Sequence, residues 1–177
     1  MDTPADHMLR IPHAQALGLT LVRHDVSGCV VRVPYAEHLV GDPDTGVLHG
    51  GVLTALLDNA CGLAVRPAGG AAEEISMATL DLRIDYMGPA EPHKDVLAEA
   101  VCYKRTRHIA FVRAVAYQES AAEPVATCVA TFMLGTPNAP RENSVGAASG
   151  RESTGTGSRP EAAPTGIGTA PAGIPRS

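Results

Sequence analysis

Between residues 76 and 134 four apolar-rich runs are separated by short polar or turn-forming links, and the first run alternates cleanly between apolar and polar positions. Ser76–Met87, Asp95–Tyr103, Ile109–Gln118 and Val125–Leu134 therefore read as strands. In the first, Leu80, Leu82, Ile84 and Tyr86 fall on one face and Asp81, Arg83 and Asp85 on the other. One packed face and one solvated face point to an antiparallel sheet, and the short links suit hairpins. Upstream, the β-rich runs Thr20–Val26 and Cys29–Pro34 flank Ser27-Gly28 and predict another hairpin. Pro12 suits the first turn of a short helix and Gly18 its C-terminal cap. Tyr35–Gly46 is a polar loop containing Gly and Pro. From Gly50 to about Arg66 the pattern is helical and apolar around most of the circumference, which predicts burial on nearly all sides. Pro67-Ala68-Gly69-Gly70 ends that helix. The order is helix, two strands, long helix, four strands. An α+β fold, a strongly curved antiparallel sheet wrapped around one long central helix, accommodates it.

Composition narrows this picture. A chain of 177 residues suits one domain. Beyond Pro137 the sequence turns to Gly, Pro, Ser, Thr and Ala, with Val145, Ile167 and Ile174 as its large aliphatics. We expect one folded domain over 1–137 and a disordered tail over 138–177, because such a stretch buries too little surface to offset its ordering entropy. The 45% hydrophobic content without Trp implies a core of Val, Leu, Ile and Ala. A net charge of -5 argues against non-specific binding to nucleic acid or anionic membrane. The N-terminus has no charged and apolar leader pattern, and no run approaches about 18 apolar residues, so the expectation is a soluble, cytoplasmic protein. Cys29, Cys61, Cys102 and Cys128 are widely spaced in apolar surroundings and read as small core residues in a reducing compartment. The histidines lack paired ligand spacing, so no metal is expected. Neither a GxSxG elbow nor a GxxxxGK[ST] phosphate loop is present.

The chemistry concentrates at the long helix. Asp58 carries the only formal charge between Val52 and Val65. A carboxylate costs several kcal/mol to desolvate unless it is paired or used. At helical spacing it shares a face with Gly51, Thr54, Ala55 and Gly62, all small, which leaves room either for a substrate or for a packed subunit. Gly50 and Gly51 open the helix, so their N–H groups are unhindered and reinforced by the dipole; tight packing is the other reason for glycines there. A carboxylate in such a place suits general-base activation of water or direct attack on a carbonyl. The basic turn Lys104-Arg105-Thr106-Arg107-His108 is either a solvated hairpin tip or a place for phosphates.

Gly46-Val47-Leu48-His49-Gly50-Gly51-Val52-Leu53-Thr54-Ala55-Leu56-Leu57-Asp58 resembles the corresponding stretch of PaaI-type acyl-CoA thioesterases of the hotdog-fold superfamily. Thr79-Leu80-Asp81-Leu82-Arg83-Ile84-Asp85-Tyr86-Met87-Gly88-Pro89-Ala90 resembles the strand after the central helix there. The resemblance runs from about Leu9 to Leu134 and implies hydrolysis of an acyl-CoA to free acid and CoA, without a cofactor. It implies that Gly51 N–H polarises the thioester carbonyl, with Gly50 beside it. His49 would shape that region, and Asp58 would act as general base or nucleophile. Thr79 matches a hydroxyl residue that places water in some members. By parity with Asp81 and Arg83, however, it belongs on the solvated face and reaches chemistry only at a subunit interface. Lys104, Arg105, Arg107 and His108 match a region that meets CoA phosphates. A homodimer or dimer of dimers with sites at the subunit interface is implied. One departure stands out: many relatives carry an Asn shortly before the HGG triplet, where this chain reads Gly41-Asp42-Pro43-Asp44, and an ionised acid there would repel an oxyanion. A non-catalytic acyl-CoA-binding module on the same fold is the alternative. A hydratase is disfavoured because no His follows Asp58 until His93.

Overall fold

The alternating runs pair into one antiparallel sheet. In a computed structural model, residues 10–68 and 75–136 are described. A short helix α1 (Pro12–Ala16) precedes β1 (Thr20–Asp25) and β2 (Gly28–Val33). A 3-10 turn at Glu37–Leu39 leads into β3 (Val40–Asp42) and β4 (Val47–Leu48), followed by the long helix α2 (Gly50–Ala64). Strands β5 (Met77–Tyr86), β6 (Val96–Arg105), β7 (Ile109–Tyr117) and β8 (Ala126–Leu134) complete the order. The six-stranded sheet runs β1-β2-β6-β7-β8-β5, and β3 and β4 form a separate two-stranded piece. The α+β architecture of a large antiparallel sheet around one long helix is as expected. The tail predicted from residue 138 lies outside the described residues.

Helix α2 lies across β2, β6, β7, β8 and β5. Leu56, Leu57 and Leu63 are fully enclosed, each contributing about 1.5–3 kcal/mol relative to exposure. The sheet surface beneath is rich in alanine: Ala98, Ala100, Ala110, Ala114, Ala116, Ala126 and Ala130 are all buried. Small side chains let the helix sit low enough for Cys29 Sγ to reach the Ala60 carbonyl at 3.2 Å. Burial pushes the Cys29 thiol up to about 12. All four cysteines are free, with Cys102 half-buried and the others buried.

Four expectations change. The helix stops at Ala64, short of Arg66, with Val65 as its C-cap. The loop predicted over Tyr35–Gly46 contains the 3-10 turn and β3, whose pieces are too short to show a period. Burial of α2 on nearly all sides is not met. Gly51 is exposed, and Thr54, Ala55, Asp58 and Asn59 are half-buried, so one stripe faces outward. Finally, the alternation of β5 is broken. Thr79 pairs with Phe132 and Asp81 with Thr131, leaving Leu80 as an extra bulged residue that is 51% exposed. The bulge resets the parity upstream: Thr79 shares the inner face with Leu82 and Ile84, not the outer face with Asp81.

Candidate active site

The site is built where α2 begins and where β5, an edge strand, runs past it. Leu48 is the last residue of β4, and its pairing with Val40 fixes where the chain turns into the helix. A Cβ at Gly41 would stand 2.7 Å from His49 Cα, so glycine is what lets β3 come this close. His49 is the N-cap, and its Nδ1 accepts from Gly51 N–H at 2.9 Å. With Nδ1 accepting, the ring proton sits on Nε2, which becomes an exposed donor beside the helix start. The Gly51 N–H is thus already engaged, where its sequence context had suggested a free donor: the imidazole holds it, and a carbonyl oxygen has to take it from the ring. A Cβ at Gly51 would come 2.9 Å from His49 Nδ1, so the cap requires glycine there.

Asp58 lies seven residues beyond Gly51, on the same helix face and about 10.5 Å along the axis. It is half-buried rather than enclosed, and it is not without a partner: Thr79 Oγ1 donates to Asp58 Oδ1 at 3.1 Å. The Leu80 bulge makes that contact possible within one chain. Behind Asp58, Cys61 and Cys128 place their Sγ atoms 3.9 Å apart in the core. Contact with Cys128, burial and the Asp58 charge all push the Cys61 thiol up, so Cys61 is not a thiolate nucleophile. Among the described residues no group of three or more His, Cys, Asp or Glu is arranged to hold a metal.

The helix start is also tied to β5 by two residues that the sequence did not single out together. Tyr86 Oη donates to the Gly50 carbonyl at 3.0 Å, and Thr54 Oγ1 donates to the same oxygen at 3.1 Å. The two hydroxyls are 2.7 Å apart. A lone tyrosine ending an aliphatic row was the available signal, but alternation alone assigned it to packing.

Asp42 is the last residue of β3. Its carboxylate accepts from Thr45 Oγ1 at 2.7 Å and from Asp44 N–H at 3.1 Å. These two bonds, the Thr45 hydroxyl first, hold its pKa below the usual carboxylate range. It forms the exposed β3–β4 turn, with its charge satisfied locally. Next to His49 and Gly51 opens a hollow of about 410 Å³, lined also by His13, Leu17, His38, Leu39, Val40 and Val52.

The basic turn joins β6 to β7 and is exposed over Lys104–His108. It sits at the other end of α2: Arg105 Nη1 donates to the Val65 carbonyl at 3.4 Å, where a cation complements the helix C-terminus. Arg105 therefore has a structural task, whereas Lys104, Arg107 and His108 project around a turn closed by Thr106 and Ile109. The structure thus puts Gly51 and Asp58 on one helix face with Thr79 bonded to Asp58, places His49 and Gly50 at the helix start, and leaves the basic turn beyond the far end.

Comparisons with known proteins agree with the fold. The sequence profile of the Thioesterase superfamily matches residues 45–125. A solved Pseudomonas aeruginosa protein is 44% identical, over 73% of this chain and 95% of its own, with a TM-score of 0.65. A mutant of the phenylacetic acid degradation protein PaaI from Thermus thermophilus is 30% identical over 69% of this chain and 97% of its own, with a TM-score of 0.59. The medium/long-chain acyl-CoA thioesterase YigI of Salmonella typhimurium is 28% identical over 71% of this chain and 86% of its own. A Halobacterium salinarum protein is 41% identical over 71 residues, and the match spans only 46% of that relative's length. Among the described residues no helix is long and apolar enough to cross a membrane.

Proposed function

Because this chain belongs to the thioesterase superfamily and has its hotdog fold, we propose that it hydrolyses an acyl-CoA thioester to the free carboxylic acid and CoA. The observation that carries this reading is the Asp58–Thr79 pair on the helix face that begins with Gly51. The name of the relative YigI supports CoA as the thiol carrier. In the reaction the thioester carbonyl oxygen takes the Gly51 N–H from the His49 imidazole. Asp58 removes a proton from water as the water oxygen attacks the carbonyl carbon. Negative charge develops on the carbonyl oxygen and meets the N–H and the positive end of the helix; such a donor contributes roughly 2.7–4 kcal/mol. The intermediate collapses with cleavage of the C–S bond, and CoA leaves as the thiolate and is then protonated. No metal or prosthetic group enters this scheme.

A second copy of the chain completes the site in this reading. β5 is the sheet edge on which Leu80, Tyr86 and Met87 are exposed, and it borders the open stripe of α2 that carries Gly51 and Asp58. A subunit packed there excludes water, and Asp58 of one copy serves the helix start of the other. The hollow beside His49 gives room for part of the acyl–pantetheine chain. Exposed Lys104, Arg107 and His108 supply charge for the CoA phosphates.

The test is a panel of acyl-CoAs with thiol release followed by a thiol-reactive dye. Asp58→Ala should lower turnover by orders of magnitude while the assembly stays folded. Unchanged turnover in that variant would sink the mechanism, and binding without thiol release by the unaltered protein would make it a binding module.

A further inference from the structure

We propose that Tyr86 and Thr54 position and polarise the peptide group between Gly50 and Gly51, and so set the strength of the Gly51 N–H as donor to the thioester oxygen. This rests on the acyl-CoA reading above. The oxygen that receives both hydroxyls is the Gly50 carbonyl. That carbonyl and the Gly51 N–H are the two ends of one planar, conjugated peptide unit. Drawing electron density toward the oxygen leaves the N–H more positive, and linked hydrogen bonds strengthen one another by roughly 10–30% each.

Two hydroxyl protons serve three contacts here, because the Tyr86 and Thr54 oxygens also lie 2.7 Å from each other. Either both hydroxyls donate to Gly50, or one donates to the other and the second donates to Gly50. Every arrangement leaves the carbonyl with at least one hydroxyl donor, and the relayed ones polarise it through a chain. The bond from Thr54 is the back-bond that threonine often makes one turn along a helix. The bond from Tyr86 is not of that local kind, since it arrives from a different element 36 residues away. Within one chain Tyr86 is 53% exposed, and its hydroxyl contacts are what tie it to the helix start. Its ring also stands 3.6–3.7 Å from where a Gly50 Cβ would be, bracing a Gly-Gly pair that is otherwise conformationally soft.

Tyr86 and Thr54 are positioning residues, tested by Tyr86→Phe, Thr54→Val and the double variant. Removing one oxyanion donor costs about 10²–10³ in turnover, and 10–30% of that exponent is roughly two- to eightfold for each hydroxyl. The double variant should lose about three- to sixtyfold in kcat, with KM and melting temperature nearly unchanged, because the donor is used most in the transition state. A second readout needs no turnover: the Gly50 carbonyl carbon and the Gly51 amide proton should both shift upfield in Tyr86→Phe. A double variant within twofold of wild type, a kcat loss that tracks lost stability, or unmoved Gly50 and Gly51 resonances would each overturn the proposal. If the unaltered protein cleaves no acyl-CoA, the reading of the site fails, and the resonances alone decide this one.

Discussion

Thr79→Val removes one hydroxyl and keeps the side-chain shape, so it isolates the 3.1 Å bond from Thr79 Oγ1 to Asp58 Oδ1. A hydrogen bond to a charged group contributes about 1.5–3 kcal/mol. Thr79 is exposed and Asp58 half-buried, so solvent competes and the lower end of that range, about 1.5 kcal/mol, is the expected loss. Valine's preference for strands offsets part of that in folding, and the melting temperature should move little. In catalysis nothing offsets it, because the carboxylate is then free to leave the orientation in which it meets water. A loss of about 1.5 kcal/mol is a little over tenfold in rate. We therefore expect kcat to fall about tenfold with KM unchanged, and Thr79→Ser to retain most of the activity. Initial rates of thiol release across an acyl-CoA concentration series measure both constants. A Thr79→Val protein within twofold of wild type, or a serine variant as slow as the valine one, would show the contact to be idle.

Two further outcomes follow from other parts of the chain. Lys104→Ala with Arg107→Ala should raise KM severalfold for acyl-CoA but not for the matching acyl-pantetheine, whereas Arg105→Met should mainly lower the melting temperature, because it bonds the end of α2. Equal effects on both substrates would remove the phosphate role. The Asp25 carboxyl is held down at about 2 by the Ser27 hydroxyl, then by Arg23 and the Ser27 N–H. A depressed carboxylate stabilises above its unfolded value of 3.8 and loses that contribution as pH falls toward 2. The melting-temperature gap between wild type and Asp25→Asn should be open at pH 6 and closed near pH 2; a gap constant with pH would contradict the assignment.

Much of this architecture was legible because periodicity is a local property. The strands from Ser76 onward and the helix from Gly50 each carry enough residues for a period to show, and Asp58 stood out as the one charge in its run. What stayed hidden depends on single insertions and on distant partners. Leu80 looks like one more apolar residue in an alternating row, yet as a bulge it reverses the face of Thr79. Parity counting cannot detect this, because the pattern downstream of the bulge is regular. The β3–β4 pair is too short to have a period. Tyr86 meets Gly50 only after the sheet has curled round the helix, so their relation has no trace in spacing.

The alanine-lined surface under α2 has a mechanical consequence. Where alanine is the spacer between helix and sheet, it has no side-chain rotamer with which to yield. A larger residue at buried Ala114 or Ala130 has to be accommodated between helix and sheet, and a shift of about an ångström is enough to part the 3.1 Å contact between Asp58 and Thr79. Tolerances at the reactive face are thus written into residues on the opposite side of the helix, which touch neither substrate nor solvent. The exposed hollow beside His49 is freer material, because its walls can change shape without shifting that spacer.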